Sequence, residues 1–154
     1  MDCGLCDKRS YYLIKDGRLI AASMNMNGIR DLEEVNDKYN EYPYSSDPAF
    51  ADDWSQLDDK TGGDCDSYAV SKLLDLYRRG WAIENLRLAT CQVEGTSVEN
   101  HAVLVVSFEG KEYVLDNRQN GLCDLNDLDA VGYTPVRIQK SGGSKSWSEW
   151  KWEK

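Results

Sequence analysis

Thr61-Gly62-Gly63-Asp64-Cys65-Asp66-Ser67-Tyr68-Ala69 joins a glycine pair to a cysteine that opens an amphipathic segment running to Gly80. Asp64 suits an N-cap, whose side-chain oxygen accepts from a first-turn N–H, so Cys65 is expected in the first turn of a helix. Unpaired backbone N–H groups and the positive end of the helix dipole face it there. That setting favours the thiolate, the nucleophilic form of cysteine. Further along, Ala69, Val70, Leu73, Leu74, Leu76 and Tyr77 recur at helical spacing and form a wide apolar stripe. Arg78 and Arg79 complement the dipole, and Gly80 suits a C-cap. The stripe is core, and it fixes Cys65 against the interior.

Beyond Gly80 the pattern becomes strand-like. Leu86 to Val93 alternates, and Ala102 to Phe108 is a nearly continuous β-favouring run suited to a central strand. Glu109-Gly110-Lys111 is a tight turn from which Glu112 to Leu115 pairs back as an antiparallel hairpin. Gly121 to Ala130 reads as an acidic loop, and Tyr133 to Gln139 as a final strand. Upstream, Leu32, Val35 and Tyr39 repeat at three- and four-residue steps, which predicts a helix from Ile29 to Tyr42 with Pro43 just past its end. Tyr11 to Ala21 reads as a hairpin about Asp16-Gly17. Tyr44 to Lys60 is polar, with a loop at Ser45-Ser46-Asp47-Pro48 and a short turn or helix at Asp52-Asp53-Trp54. Helices first and antiparallel strands afterwards give an α+β fold.

Residues 1–140 read as a single domain, and residues 141–154 as a Gly/Ser linker with a tryptophan-rich tail. Trp147, Trp150 and Trp152 either pack the tail onto the body or form a partner-binding strip. Packing is preferred, because three exposed tryptophans would leave a large apolar patch.

The chain has 154 residues, enough for one domain with a real core. A net charge of −9 argues against nucleic acid and anionic membranes as partners, since both need a basic surface. The five cysteines, Cys3, Cys6, Cys65, Cys91 and Cys123, are an odd number, which fits a reducing compartment better than a closed disulfide framework. Cys3 and Cys6 form a lone C-x2-C with no second pair to complete a zinc site. The N-terminal stretch reads as lacking a signal peptide, and no segment is long and apolar enough to span a membrane. The expected location is therefore cytoplasmic.

A cysteine hydrolase needs a thiolate, a base to activate it and a group that orients the base. The only histidine is His101, in Glu99-Asn100-His101-Ala102-Val103-Leu104-Val105-Val106. Asp116 follows in Tyr113-Val114-Leu115-Asp116-Asn117. A hairpin turning at Gly110 would bring the Asp116 end beside the His101 end, although the two are distant in sequence. The carboxylate could then hold one ring nitrogen and leave the other for Cys65. Each residue also has a plainer reading: a small buried hydrophobe for Cys65, a structural or exposed histidine, and a turn after a strand for Asp116-Asn117. Cys91 falls in a strand, and Cys123 in an acidic setting that raises a thiol pKa.

Taken with Val35-Asn36 and Asp53-Trp54, the segments Gly63-Asp64-Cys65-Asp66-Ser67-Tyr68-Ala69, Asn100-His101-Ala102-Val103-Leu104 and Tyr113-Val114-Leu115-Asp116-Asn117 resemble the bacterial transglutaminase-like (LapG-like) cysteine proteinases over roughly residues 29–118. The resemblance implies a papain-like, transglutaminase-like fold, with the cysteine at the N-terminus of a helix packed on an antiparallel sheet that carries the histidine and the aspartate. It implies Cys65 as nucleophile, His101 as general base and acid, and Asp116 as the orienting group. It also implies an oxyanion hole built from the Cys65 N–H and an upstream side chain, with Trp54 and Gln56 as candidates for that donor or for a substrate-groove wall. Adhesin-releasing members bind calcium through acids beside the cysteine, and Asp64 and Asp66 match two such positions. Those aspartates could instead only cap the helix. No cofactor is required by the chemistry, and calcium is the one ion the resemblance suggests.

The expected activity is that of a cysteine endopeptidase acting on a protein or peptide substrate through a thioester acyl-enzyme. Two rivals remain: acyl transfer to an amine, as in a transglutaminase or amidase, and a catalytically inactive protein-binding module.

Overall fold

The structure is a computed structural model that describes residues 12–15, 18–21, 28–44, 56–57, 62–94, 101–128 and 130–150. Strands β1 (Tyr12–Lys15) and β2 (Arg18–Ala21) form a separate antiparallel pair with Lys15 opposite Arg18. Helices α1 (Gly28–Asn40) and α2 (Cys65–Arg78) follow. A 3-10 turn at Ile83–Asn85 leads into β3 (Leu86–Val93), β4 (His101–Phe108) and β5 (Lys111–Leu115). The short β6 (Cys123–Asp124), a 3-10 turn at Leu125–Asp127, β7 (Tyr133–Gln139) and β8 (Trp147–Glu149) complete the order. The main sheet runs β6-β5-β4-β3-β7-β8, and every neighbouring pair is antiparallel. This is the expected α+β arrangement, with two helices and an antiparallel sheet among the described residues.

The β-rich run at residues 101–108 is central because both of its faces are covered. Leu104 and Val106 face the helices, and pack with Leu32, Val35, Leu73, Leu76, Leu86 and Leu115. Val103 and Val105 face the other way, onto Val114, Ala89, Leu128, Tyr133, Ile138 and Trp150. Six consecutive buried residues in β4 therefore need no polar alternation. At the far end of the helices, Arg79 joins Asp31, Glu34 and Asp75 at 2.9–3.1 Å, which ties α1 to α2.

Several details differ from the sequence reading. Helix α1 ends at Asn40 rather than Tyr42. Pro43 disfavours helical backbone in the residue before it, and Tyr42 N–H instead closes a turn on Tyr39 O at 3.0 Å. Tyr77, expected in the apolar stripe, is exposed. The acidic segment from Gly121 is not a plain loop: β6 adds to the sheet edge, and Leu128 is buried beneath it.

Ser141-Gly142-Gly143-Ser144 reads as a linker but makes a tight turn, with Ser144 N–H on Ser141 O at 3.0 Å. A Cβ on Gly142 would lie 1.6 Å from Ile83 O, so only glycine lets this turn lie against the 3-10 turn before β3. Past it, β8 extends the sheet, Trp150 is buried, and Arg137 lies over the Trp147 ring. Both tryptophans pack onto the body; Trp152 lies outside the described residues.

Candidate active site

Cys65 is the first residue of α2, and Asp64 caps it, with Asp66 N–H donating to Asp64 Oδ1 at 3.2 Å. The glycine pair before it has a steric reason. Gly62 has φ +71°, and a Cβ there would lie 1.7 Å from Pro43 O, because the chain leaving α1 runs against this loop. Tyr44 bridges to Gly63 in parallel. Tyr68, one turn into α2, donates its hydroxyl to Tyr42 O at 2.5 Å. The end of α1 is thus strapped to the loop that presents the cysteine.

His101 is the first residue of β4, and the β4–β5 register pairs Leu104 with Leu115. Extending that register by one residue sets Asp116 opposite Val103, on the same face as His101. Diagonal neighbours on one face lie within reach of long side chains. The ring does reach: His101 Nε2–H donates to Asp116 Oδ1 at 2.7 Å, with both side chains buried. Since Asp116 occupies Nε2, the ring nitrogen left for a thiol is Nδ1, the one nearer the histidine backbone. The Cys65 sulfur sits at that backbone, accepting from the Ala102 N–H at 3.4 Å. The fold therefore gathers Cys65, His101 and Asp116 from the helix start, the strand start and the strand end.

Asp116 is held from several sides. Arg118 N–H donates to Oδ1 at 2.9 Å, a turn that stops β5, and the Tyr133 hydroxyl donates to Oδ2 at 2.5 Å. Burial alone would push the Asp116 carboxyl up, but the hydrogen bonds from His101 and Tyr133 outweigh it and hold it below the usual carboxylate range. Tyr133 also sets its ring 5.3 Å from that of His101.

The Cys65 thiol departs from the expectation of a lowered pKa. Burial pushes it up to about 12; the Ala102 N–H opposes this, while Asp66 and Asp64 add to it. The thiol S–H donates to Asp66 Oδ1 at 3.5 Å. The helix start alone therefore does not make the thiolate here, because desolvation and two adjacent carboxylates oppose it. Cys91 and Cys123 are buried and outside any disulfide, and burial raises the Cys123 thiol as well.

Asp64, Cys65 and Asp66 place one ligand atom each within 4.8 Å of one another. Gln56 is exposed, and Trp54 lies outside the described residues, as do Cys3 and Cys6. Two contributors were not anticipated from the sequence. One is Tyr133. The other is a buried polar cluster under the Asp116 loop, made of Lys72, Asn36 and Asn40. The signal for the latter was Lys72 itself, which falls in line with Ala69 and Leu76 on the core-facing side of α2. No helix among the described residues is long and apolar enough to cross a membrane.

Solved structures with a similar fold include LapG of Legionella pneumophila in a calcium-bound form, with TM-score 0.62 and 23% identity over 76% of this chain and 72% of that one. The EGTA-treated form of that protein gives TM-score 0.62 and 23% identity over 79% of this chain and 67% of that one. A further LapG structure gives 0.58 and 24% over 74% and 66%. No curated protein matches the chain. Residues 5–154 match the family described as bacterial transglutaminase-like cysteine proteinase BTLCP. The chain belongs to that family, and it is a cysteine peptidase.

Proposed function

We propose that Cys65, His101 and Asp116 are the nucleophile, the general base and acid, and the orienting carboxylate of a protein-cleaving site. The observation that carries this reading is the buried His101–Asp116 pair at 2.7 Å, which starts one peptide away from the N–H that touches the Cys65 sulfur. Asp116 fixes the tautomer by accepting the Nε2 proton, so Nδ1 takes the thiol proton as sulfur attacks the substrate carbonyl carbon. The same proton passes to the leaving amine nitrogen as the C–N bond breaks, and a thioester remains. Water then attacks the thioester, giving one proton to Nδ1, and a carboxylic acid leaves as the thiol is restored. As the first helical residue, Cys65 has a backbone N–H with no acceptor inside the helix, and this group serves as one oxyanion donor. Trp54 or Gln56 supplies the second.

The carboxylates beside Cys65 suit a hard cation, and calcium favours such oxygen ligands, roughly six to eight of them. Asp64 and Asp66 would hold calcium, with further oxygens from outside this pair; an ion there would cancel the two like charges that raise the Cys65 thiol. LapG, solved in calcium-bound and EGTA-treated forms, supports this reading.

Iodoacetamide alkylation of Cys65, followed by mass spectrometry, tests the assignment. His101→Ala and Asp116→Asn are expected to slow it at pH 7 by tenfold or more, and calcium to speed the wild-type reaction relative to EGTA. Alkylation of His101→Ala at the wild-type rate would falsify the triad. Equal rates in calcium and EGTA would remove the ion from the account and leave the triad standing.

A further inference from the structure

Lys72 lies seven residues after Cys65, about two helical turns along α2, and is fully buried. A lysine charge is rarely placed where water cannot reach it. Here Nζ donates to Asn36 Oδ1 at 2.8 Å and to Asn40 Oδ1 at 2.7 Å. The two asparagines are four residues apart, and so share one face of α1. With each amide oxygen engaged by an Nζ–H, each amide nitrogen must point the other way. Asn40 Nδ2 donates to Asp116 O at 3.1 Å and to Gln119 O at 3.3 Å. Asn36 Nδ2 donates to Gly121 O at 3.2 Å. One amino group therefore sets the orientation of two amides, and these hold the backbone of residues 116–121 from beneath.

We infer that Lys72 is a positioning residue for Asp116, acting through Asn40 and Asn36 to fix the carboxylate that orients His101. This rests on the role proposed above for Asp116. Packing alone does not account for a lysine here, because apolar residues of similar volume fill such sites at a lower desolvation cost. An apolar side chain would also leave both amides free to flip and the loop carbonyls without their donors. The charged groups facing Lys72 are Asp116 from the loop after β5 and Asp37 from α1, and both favour its protonated form against burial. Lys72 does not touch the reacting atoms, so its effect must pass through the loop.

The test uses the full chain and the alkylation rate of Cys65 by iodoacetamide at pH 7, in Lys72→Met, Lys72→Arg, Asp116→Asn and the Lys72→Met/Asp116→Asn double variant. Lys72→Met is expected to slow alkylation about tenfold, the scale set by a small misplacement of a catalytic group. Lys72→Arg is expected to recover part of the rate. The double variant is expected to react no more slowly than Asp116→Asn alone, since both changes act on one element. His101 is the only histidine, so its Nε2 proton can be followed alone by NMR. That signal is expected to move upfield or to broaden in Lys72→Met. A wild-type rate in Lys72→Met, or losses that multiply in the double variant, would overturn the inference while an impaired Asp116→Asn keeps the triad. A wild-type rate in Asp116→Asn would overturn the triad reading and this inference with it. Should Lys72→Met not fold, Asn40→Ala replaces it, because Asn40 is half-buried and its removal cuts the link to Asp116 O.

Discussion

Tyr133 donates its hydroxyl to Asp116 Oδ2 at 2.5 Å, so the aspartate that binds His101 through one oxygen is gripped through the other by a strand on the far side of β3. Removing a hydrogen bond to a buried charged group costs about 1.5–3 kcal/mol. Tyr133→Phe is therefore expected to lower unfolding free energy by roughly that amount, read from urea midpoints. The sign of its pH effect also follows. Asp116 is held below its ordinary 3.8, so it contributes stability above that pH and loses it as pH falls through the folded value. Losing a donor raises the folded value, and acid unfolding of Tyr133→Phe should begin at a higher pH than in the wild type. An unchanged acid midpoint would mean that the hydroxyl does not hold the carboxylate.

The β4–β5 hairpin shows what the sequence made legible. Glu109-Gly110 announced a turn, and the β-favouring runs on either side set the register that brings His101 to Asp116. Local signals sufficed because the two partners sit on adjacent strands. Tyr133 reads as the start of a strand and is one, but its partner follows a strand that is not its neighbour, and a single sequence does not specify sheet order. The Ser141–Ser144 turn is not legible for a similar reason: Gly142 is demanded by the approach of Ile83 O, and composition alone presents it as linker. The Cys65 thiol departs from its sequence context because the dipole argument is local, whereas burial belongs to the whole fold.

That same hairpin carries a correctable strain. Glu109 has φ 51° and Gly110 φ 79°, the paired left-handed conformation of a two-residue type I′ turn. Glycine adopts it readily, while glutamate does so at about 1 kcal/mol. Asn tolerates this region better, and Glu109→Asn is expected to stabilise the chain by about 0.5–1 kcal/mol with no change in Cys65 alkylation. A lower melting temperature in Glu109→Asn would show that the glutamate side chain makes a compensating contact.

Alkaline pH should act through Cys65. Its folded thiol is pushed up to about 12 from the ordinary 9.0, so the folded state keeps a proton that the unfolded state releases. The stability this brings is complete below pH 9 and is lost as pH rises from 9 towards 12. Cys65→Ser has no such titration, and its urea midpoint should fall less steeply over that interval than the wild type's. Parallel curves would show that the thiol is not shielded in the way its burial implies.

Lys72 should bend the same curve the other way, one interval lower. Burial brings its pKa down to about 7 from 10.5, against the pull of Asp116 and Asp37. Between those values the unfolded chain binds a proton that the folded chain does not, so stability rises with pH from about 7 to 10.5. Below pH 7 the buried ammonium carries its full desolvation penalty, offset in part by the two asparagine oxygens. Lys72→Met removes this titration. The difference in unfolding free energy, wild type minus variant, should therefore increase across that window and be flat below it. A difference that does not change with pH would mean that Lys72 keeps its proton in the fold throughout, and that the amides beneath Asp116 are held by a permanent charge.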